Sequence, residues 1–330
     1  MPAGAIYAII INEMKLVFFD IECACVHKTY AKICAFGYVV CYEKFNILEK
    51  EDILINPKGK FELTDRKGQK GLVLPYEYED FKKYPSFPKV YDRIKALLED
   101  SDSYVLGHAV LNDVKYLNLE TRRFKLPSFN FTFSDSQLIF MTHVDDFSHQ
   151  SGLEHIASEL GVEFTPHRAV DDAYATMKII EAMCKAHNCT FTELIEKLNV
   201  APGKIINYQI SRPQSKGFKR FNAQKKEARA ERSQKRIKFY NNLSRKRVNK
   251  AGGNLKGKTI TFSRMIEDDI DISIPLVDKI YAAGGKYSQK LDFCTLYVSA
   301  EDDVTARTKV AAEMAIPHVT VEELRELINA

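Results

Sequence analysis

Leu16-Val17-Phe18-Phe19-Asp20-Ile21-Glu22 is a run of strand-forming apolar residues that ends in two carboxylates one residue apart. On a strand, positions i and i+2 share a face, so Asp20 and Glu22 are expected to project the same way at the strand's end. Two carboxylates held so close repel and lose solvation, a cost that a cation between them offsets. A buried core strand with an acidic end would carry the same short string, so the reading depends on what the rest of the chain supplies.

Downstream, Tyr30 to Tyr42 is rich in Ile, Val, Phe and Tyr and reads as one or two further strands. Ile53 to Asn56 reads as another, closed by Pro57. Residues 58–88 mix glycines and prolines with charges and tyrosines. They are expected to form a long surface loop with a short helix, a type of segment that often contacts substrate. Val90 to Leu98 has helical periodicity, and Ser103 to Leu106 reads as a short strand leading into Gly107-His108. Asp113 then falls near a helix start, either as a third carboxylate at an element end or as a plain cap. His108 is placed for a structural hydrogen bond or a substrate contact. Asp135 reads as a helix cap, and Ser151 to Gly161 as a helix with a glycine stop and His155 on its polar side. In Pro166-His167-Arg168-Ala169-Val170-Asp171-Asp172-Ala173, Asp172 opens an amphipathic helix and His167 lies five residues earlier in the loop. That order lets a fixed aspartate bind metal while a histidine, titrating near neutral pH, takes a proton from water. A capping Asp171 or Asp172 beside an incidental histidine is the alternative.

The ordered set Asp20-x-Glu22, Asp113, His167 and Asp172 resembles the DEDDh branch of the DnaQ-like 3′→5′ exonucleases, which include the proofreading subunit of bacterial DNA polymerase III. The resemblance covers roughly residues 14 to 200 and is most specific at Phe19-Asp20-Ile21-Glu22 and at His167 to Ala173. It implies an α/β, ribonuclease H-like domain with a mixed central sheet flanked by helices. It also implies that Asp20, Glu22, Asp113 and Asp172 bind two Mg²⁺ or Mn²⁺ ions and that His167 is the general base. Many members have Thr-Gly after the first acidic pair and Phe before the third acid; this chain has Cys23-Ala24 and Asn112. Phosphodiester hydrolysis requires charge neutralisation on the attacking and leaving oxygens, and two divalent ions about 4 Å apart serve both. Hard oxygen ligands favour Mg²⁺ or Mn²⁺ over zinc. The expected substrate is DNA, in replication or repair. The alternatives are an exoribonuclease that trims RNA ends and a scaffold that binds DNA ends or phosphoproteins.

The 330 residues are 45% hydrophobic, enough for two folded domains, and the formal net charge of +4 hides an asymmetry. Between Lys204 and Lys258 there are 18 Lys or Arg against two acidic residues; elsewhere there are 30 basic and 42 acidic. Residues 203–254 are therefore expected to be a basic connector, helical or disordered, between bodies at 14–202 and 255–330. Its Lys225, Lys226, Arg229, Arg232, Lys235 and Arg236 would attract nucleic acid by counterion release, with Phe218, Phe221, Phe239 and Tyr240 able to stack on bases. A plain linker is the alternative. The seven cysteines lack a disulfide framework or a C-x2-C pair, which points to reduced thiols in a cytosol. Cys184, His187 and Cys189 lack a fourth ligand nearby, so packing is expected there rather than zinc. The apolar run Ala5 to Ile11 is too short to span a bilayer, and Met14 reads as a natural start after a 13-residue extension.

From Leu255 onward the apolar rhythm predicts β-α-β-β-α-β-α: a strand up to Ser263, a helix from Ile274 to Ala283, strands at Gly284–Tyr287, Cys294–Val298 and Ile316–Val319, and helices at Thr305–Met314 and Val321–Ile328. With its Gly284-Gly285 turn, this order resembles a BRCT domain. The resemblance implies docking of a protein partner or a 5′-phosphorylated DNA end, with Ser263 and Lys309 at the phosphate-holding places. Arg264 stands where a glycine is usual, and the chain has no tryptophan for the final helix.

Overall fold

A computed structural model describes residues 14–62, 73–249 and 252–329. The proposed N-terminal extension and part of the expected long loop lie outside these residues. The chain divides at Phe221/Asn222 into two units.

The first unit contains strands β1 (Lys15–Val26), β2 (Ala31–Tyr42) and β3 (Ile47–Leu54), helix α1 (Phe87–Leu98), β4 (Ser103–Gly107), α2 (Leu111–Arg123), β5 (Phe131–Asp135), α3 (Ser136–His143), α4 (Leu153–Glu159), α5 (Ala169–His187) and α6 (Phe191–Lys197). Strands β6 (Val200–Ala201), β7 (Gly203–Ile206), β8 (Gln209–Ser211) and β9 (Gln214–Ser215) follow. Seven strands form one sheet in the order β3-β2-β1-β4-β5-β7-β8. It is mixed: β4 runs parallel to β1 and β5, whereas β2 is antiparallel to β1 and β3, and β7 to β5 and β8. β1 and β2 are buried on both faces, as their continuous apolar runs require. β3 begins six residues before the expected Ile53, because Ile47–Lys50 lies exposed on a sheet edge and has no apolar alternation to read. The expected connector also starts differently. Residues 203–211 extend the sheet as a hairpin, with β7 paired to β5, Ile205 buried in the core and β8 at the edge, and Pro202 lies beside it rather than at the end of the body.

Two apolar layers enclose the sheet. Val17, Phe19, Ile21 and Cys23 of β1 pack with residues of α1 and α2, while Leu16 and Phe18 face the layer formed by α3 to α6. Asp20 and Glu22 continue the Leu16/Phe18 alternation, so the carboxylates emerge on the α5 side. There α5 presses its first turn onto β2. A Cβ added to Gly37 would lie 2.0 Å from both the Ala169 carbonyl carbon and the Val170 nitrogen.

The basic stretch is helical over Lys216–Ser244 (α7). Phe218 and Phe221 pack against Phe147 with ring centroids 5.8 and 6.0 Å apart. Phe239 is fully buried against Phe262 and Tyr287, and Tyr240 packs beside it. These rings belong to hydrophobic cores, which corrects the expectation that they stack on bases. The second unit contains β10 (Thr259–Phe262), α8 (Arg264–Asp268), α9 (Ile270–Ala282), β11 (Lys286–Tyr287), β12 (Leu296–Val298), α10 (Ala306–Glu313), β13 (His318–Val319) and α11 (Val321–Asn329). Its four strands are all parallel, in the order β11-β10-β12-β13. α9 starts earlier than expected because the Asp269 carboxylate caps it, accepting from the Asp271 and Ile272 amides. Among the described residues no helix is long and apolar enough to cross a membrane.

The contact at Gly37 can be tested by stability alone. Gly37→Ala should destabilise the protein by roughly 1–3 kcal/mol or more, because the atoms it meets are backbone rather than a flexible side chain. Gly152→Ala, where the added Cβ has nothing within 4 Å, is the control and should be near neutral in thermal denaturation. Equal melting temperatures for the two variants would show that α5 does not rest on Gly37.

Candidate active site

β1 presents Asp20 and Glu22, and register places Asp20 opposite Gly37 of β2, which in turn lies opposite Asp52 of β3. A third acidic side chain therefore shares this row of the sheet, with only a glycine between it and Asp20. Asp113 comes from the first turn of α2 and is buried. The turn before it is held by Asp135, whose carboxylate accepts from the Ala109 amide at 2.9 Å and the Gln137 amide at 3.0 Å. Asp135 thus caps α3, as expected, and also fixes the left-handed residue Ala109 that launches α2. Asp172, in the first turn of α5, is 8% exposed; its Oδ2 accepts from the His167 amide at 3.1 Å and its Oδ1 is buried without a partner.

His167 has φ of +63°, a conformation that L residues seldom adopt, and its side chain is about half exposed. One ligand atom from each of Glu22, His167 and Asp172 lies within 4.8 Å of the other two. A cleft of about 690 Å³ opens beside them, lined by Gly152, Leu153, Glu154, Phe164, His167 and Asp172 among others. The neighbouring Asp171 is directed elsewhere, pairing with Lys50 and Arg168 at 3.5 and 3.7 Å, which separates it from the site.

Three contributors were not legible beforehand. Tyr76 donates to Asp52 Oδ2 at 2.9 Å and accepts from the Ala169 amide at 3.1 Å, tying the first turn of α5 to β3. Arg168 approaches the same Asp52 oxygen at 3.6 Å. Asp52 lies in an edge strand, and Tyr76 in the loop before α1. Neither neighbourhood carries a motif, and strand register and tertiary contact alone bring them to the site.

Other expected residues fall elsewhere. His108 places Nδ1 2.9 Å from Ser136 Oγ, while Nε2 is buried without a partner, and burial pulls its pKa down to about 4. It is a neutral interior group at ordinary pH, in keeping with the structural role rather than the substrate contact. On α7, Arg236 is bound by both oxygens of Asp268 at 2.6 and 3.0 Å, and Lys235 pairs with Glu231 at 2.8 Å. Lys225, Lys226, Arg229 and Arg232 are exposed. Ser263 has no exposed surface, and the charge beside its hydroxyl is the Asp303 carboxylate; Lys309 is exposed on α10. A phosphate would meet a buried hydroxyl and a negative neighbour at Ser263, so these two side chains do not form the accessible pair expected. Cys184 is buried and His187 bonds to His143 at 2.8 Å, consistent with packing rather than zinc. All seven cysteines are free thiols.

Residues 17–180, which contain Asp20, Glu22, Asp52, Asp113 and Asp172 together with His167, match the family model described as Exonuclease. The chain carries an exonuclease-family domain. Solved structures to which the chain shows similarity include a 3′-exonuclease in specific recognition of a histone mRNA stem-loop (13% identity, TM-score 0.47, 62% of this chain and 90% of that one). Two others are E. coli exonuclease I with an oligonucleotide (16%, 0.44, 56% and 42%) and the nuclease domain of 3′hExo, a DEDDh family member, bound to rAMP (15%, 0.45, 56% and 96%). No curated protein matches the chain.

The exonuclease domain concentrates negative charge where it has little water. Burial, then the charge of Asp52, pushes Asp20 up to about 7. Burial, then Asp20, Asp172 and Asp52, pushes Glu22 up to about 9, and burial with Asp20 raises Asp172 to about 8. Asp113 is raised by burial and by Asp20. The donors are hard oxygens, one of them buried and unpartnered, and their mutual repulsion is what a divalent cation would relieve; the set fits Mg²⁺ or Mn²⁺. Linkage gives this a sign. The folded metal-free protein keeps protons that the unfolded chain would release, so its stability is greatest below about pH 4 on this account and falls as pH rises toward about 9. Thermal unfolding in chelator should show that decline, and Mg²⁺ or Mn²⁺ should raise the melting temperature more at alkaline than at acidic pH. A metal effect that is absent, or equal at both ends, would mean the carboxylates do not form a cation site.

Proposed function

We propose that the first unit is a metal-dependent 3′→5′ exonuclease of the DEDDh type. The observation that carries this is the convergence of Asp20 and Glu22 from β1, Asp113 from α2 and Asp172 from α5, with His167 beside Glu22 and Asp172 at an open cleft. Burial and then the charge of Asp20 raise the pKa of Glu22, Asp113 and Asp172. Divalent ions, when bound by these carboxylates, supply neutralisation of charge at the attacking and leaving oxygens of a phosphodiester. The protein's own groups do the rest. His167, held by the hydrogen bond its backbone amide donates to Asp172 but exposed at its ring, accepts the proton of the attacking water and later returns it. Asp113 and Asp172 sit on helix first turns, where the dipole favours negative charge. Tyr76 and Asp52 keep the His167 loop in register with β1.

DNA is the substrate proposed first, with RNA ends as the alternative; the choice rests on how the cleft treats the 2′ position. The exposed basic residues of α7 support nucleic-acid contact outside the cleft. The second unit, with a four-stranded parallel sheet and strand order β11-β10-β12-β13, is proposed as a BRCT-like recognition module for a protein partner. Free thiols fit a reducing, cytosolic setting. The domain roles proposed are catalysis in the first unit, nucleic-acid contact along α7 and recognition in the second.

Digestion of end-labelled single-stranded DNA, duplex DNA and RNA side by side, with Mg²⁺ or Mn²⁺, tests the reading. Asp20→Ala and Asp172→Ala should abolish cleavage and metal binding while retaining the fold. His167→Ala should lower turnover about 10²- to 10⁴-fold with metal affinity, measured by calorimetry, nearly unchanged. Normal Mg²⁺-dependent cleavage by both aspartate variants would refute the assignment. Loss of metal by His167→Ala as severe as by Asp172→Ala would make the histidine a ligand instead of the base.

A further inference from the structure

Beyond Glu22, β1 runs on through Cys23–Val26 and turns into β2 through His27, Lys28, Thr29 and Tyr30. The turn is closed by the His27 amide, which donates to the Tyr30 carbonyl at 2.8 Å. At about 3.3 Å per residue, His27 stands at most about 16 Å from Glu22 along the strand. His27, Lys28 and Thr29 are exposed. The His27 ring stacks on Tyr30 with centroids 5.1 Å apart and planes inclined by 24°, and Lys32 lies over the Tyr30 ring at 5.6 Å. A Cβ on Gly59 would lie 2.5 Å from Lys32 Nζ, so the segment bearing the exposed Lys58 and Lys60 borders the same patch. Arg123 anchors that segment by donating to the Pro57 and Lys58 carbonyls at 3.0 and 3.3 Å. Of the acids nearby, Glu120 is buried against Arg123, and Glu62 accepts from the Cys25 thiol at 3.6 Å. The surface is thus basic and carries an ordered aromatic stack, although no apolar core requires the stack.

We infer that this hairpin tip is a platform for a single strand of nucleic acid whose 3′ end lies at the carboxylates, His27 stacking on a base and Lys28, Lys32 and Lys60 facing phosphates. Aromatic faces interleaved with lysines accept any base, because every base has a π-face, and track the backbone by charge. Strand β1 fixes the spacing: the element that holds Asp20 and Glu22 passes through two register shifts, after Glu22 and between Cys23 and Cys25, and ends in the platform. A strand of several nucleotides reaches it; a dinucleotide does not. This rests on the exonuclease reading above, and the experiment separates the two.

The full chain is assayed on end-labelled DNA and RNA strands of two and twelve nucleotides, as wild type, His27→Ala and Lys28→Ala. Both side chains are exposed, and unchanged melting temperatures verify folding. The platform predicts that His27→Ala raises KM for the twelve-nucleotide strand by about 5- to 30-fold, with kcat and the dinucleotide KM unchanged. Lys28→Ala should raise KM less and flatten its salt dependence. A preference confined to DNA or to RNA in these shifts identifies which strand the platform serves. An equal KM rise for both lengths, or no rise for the longer strand, overturns the platform. If the wild type cleaves none of the strands, the exonuclease reading fails. Fluorescence anisotropy of the twelve-nucleotide strand in chelator then decides the platform alone: a Kd weakened by a similar factor in His27→Ala supports it, and an unchanged Kd rejects it.

Discussion

The approach of α5 to the sheet at Gly37 is the contact on which the site depends. A helix axis normally stands well away from a neighbouring element because side chains fill the gap, and here one position has none. The first turn of α5 therefore reaches the sheet between Asp20 and Asp52 and delivers Asp172 and the His167 loop to the β1 carboxylates. Any side chain at Gly37 would meet backbone atoms that cannot turn aside, so the arrangement of the carboxylates and the packing of the core share one cause.

That geometry places several acids in a poorly solvated space, and the fold opposes their repulsion only in part. Amide donors reach Asp172 and Asp135, helix first turns carry Asp113 and Asp172, and Tyr76 donates to Asp52. Burial first, and then the neighbouring charges, leave Asp20, Glu22 and Asp172 with raised pKa values. A buried carboxylate without enough partners either takes a proton or takes a cation. At neutral pH a divalent ion would relieve the repulsion without removing the charge that binds it. The left-handed His167 is in keeping with this, since strained backbone is tolerated where surrounding structure over-determines it.

The second unit handles charge in the opposite way. Glu267 is fully buried, yet Arg307 donates to it at 2.9 Å and Arg264 and Tyr287 also bond to it, so its charge is matched inside the core. Such a network holds α8, α10 and β11 together and leaves no oxygen of Glu267 for a ligand. The same distinction applies along α7, where Arg236 is committed to Asp268 while Lys226, Arg229 and Arg232 face solvent. Charge count alone does not separate the two kinds of arginine.

The sequence by itself determined the elements with strong local signals. Apolar runs marked β1 and β2, 3.6-residue periodicity marked α1 and α5, Asp135 marked a cap, and the order of apolar segments marked the second unit. The pairing of Asp20 with Glu22 was legible because a strand fixes which residues share a face. What only the tertiary structure decided depends on contacts between distant residues. β3 is a largely exposed edge strand, the β7–β8 hairpin is built from strands of four and three residues, too short for their alternation to stand out, and the phenylalanines of α7 looked like stacking rings until their cores were present. Asp52 and Tyr76 joined the site through register and a loop contact, and Ser263 proved inaccessible for the same kind of reason. Local pattern encodes which face a residue occupies on its own element; only packing decides what that face meets.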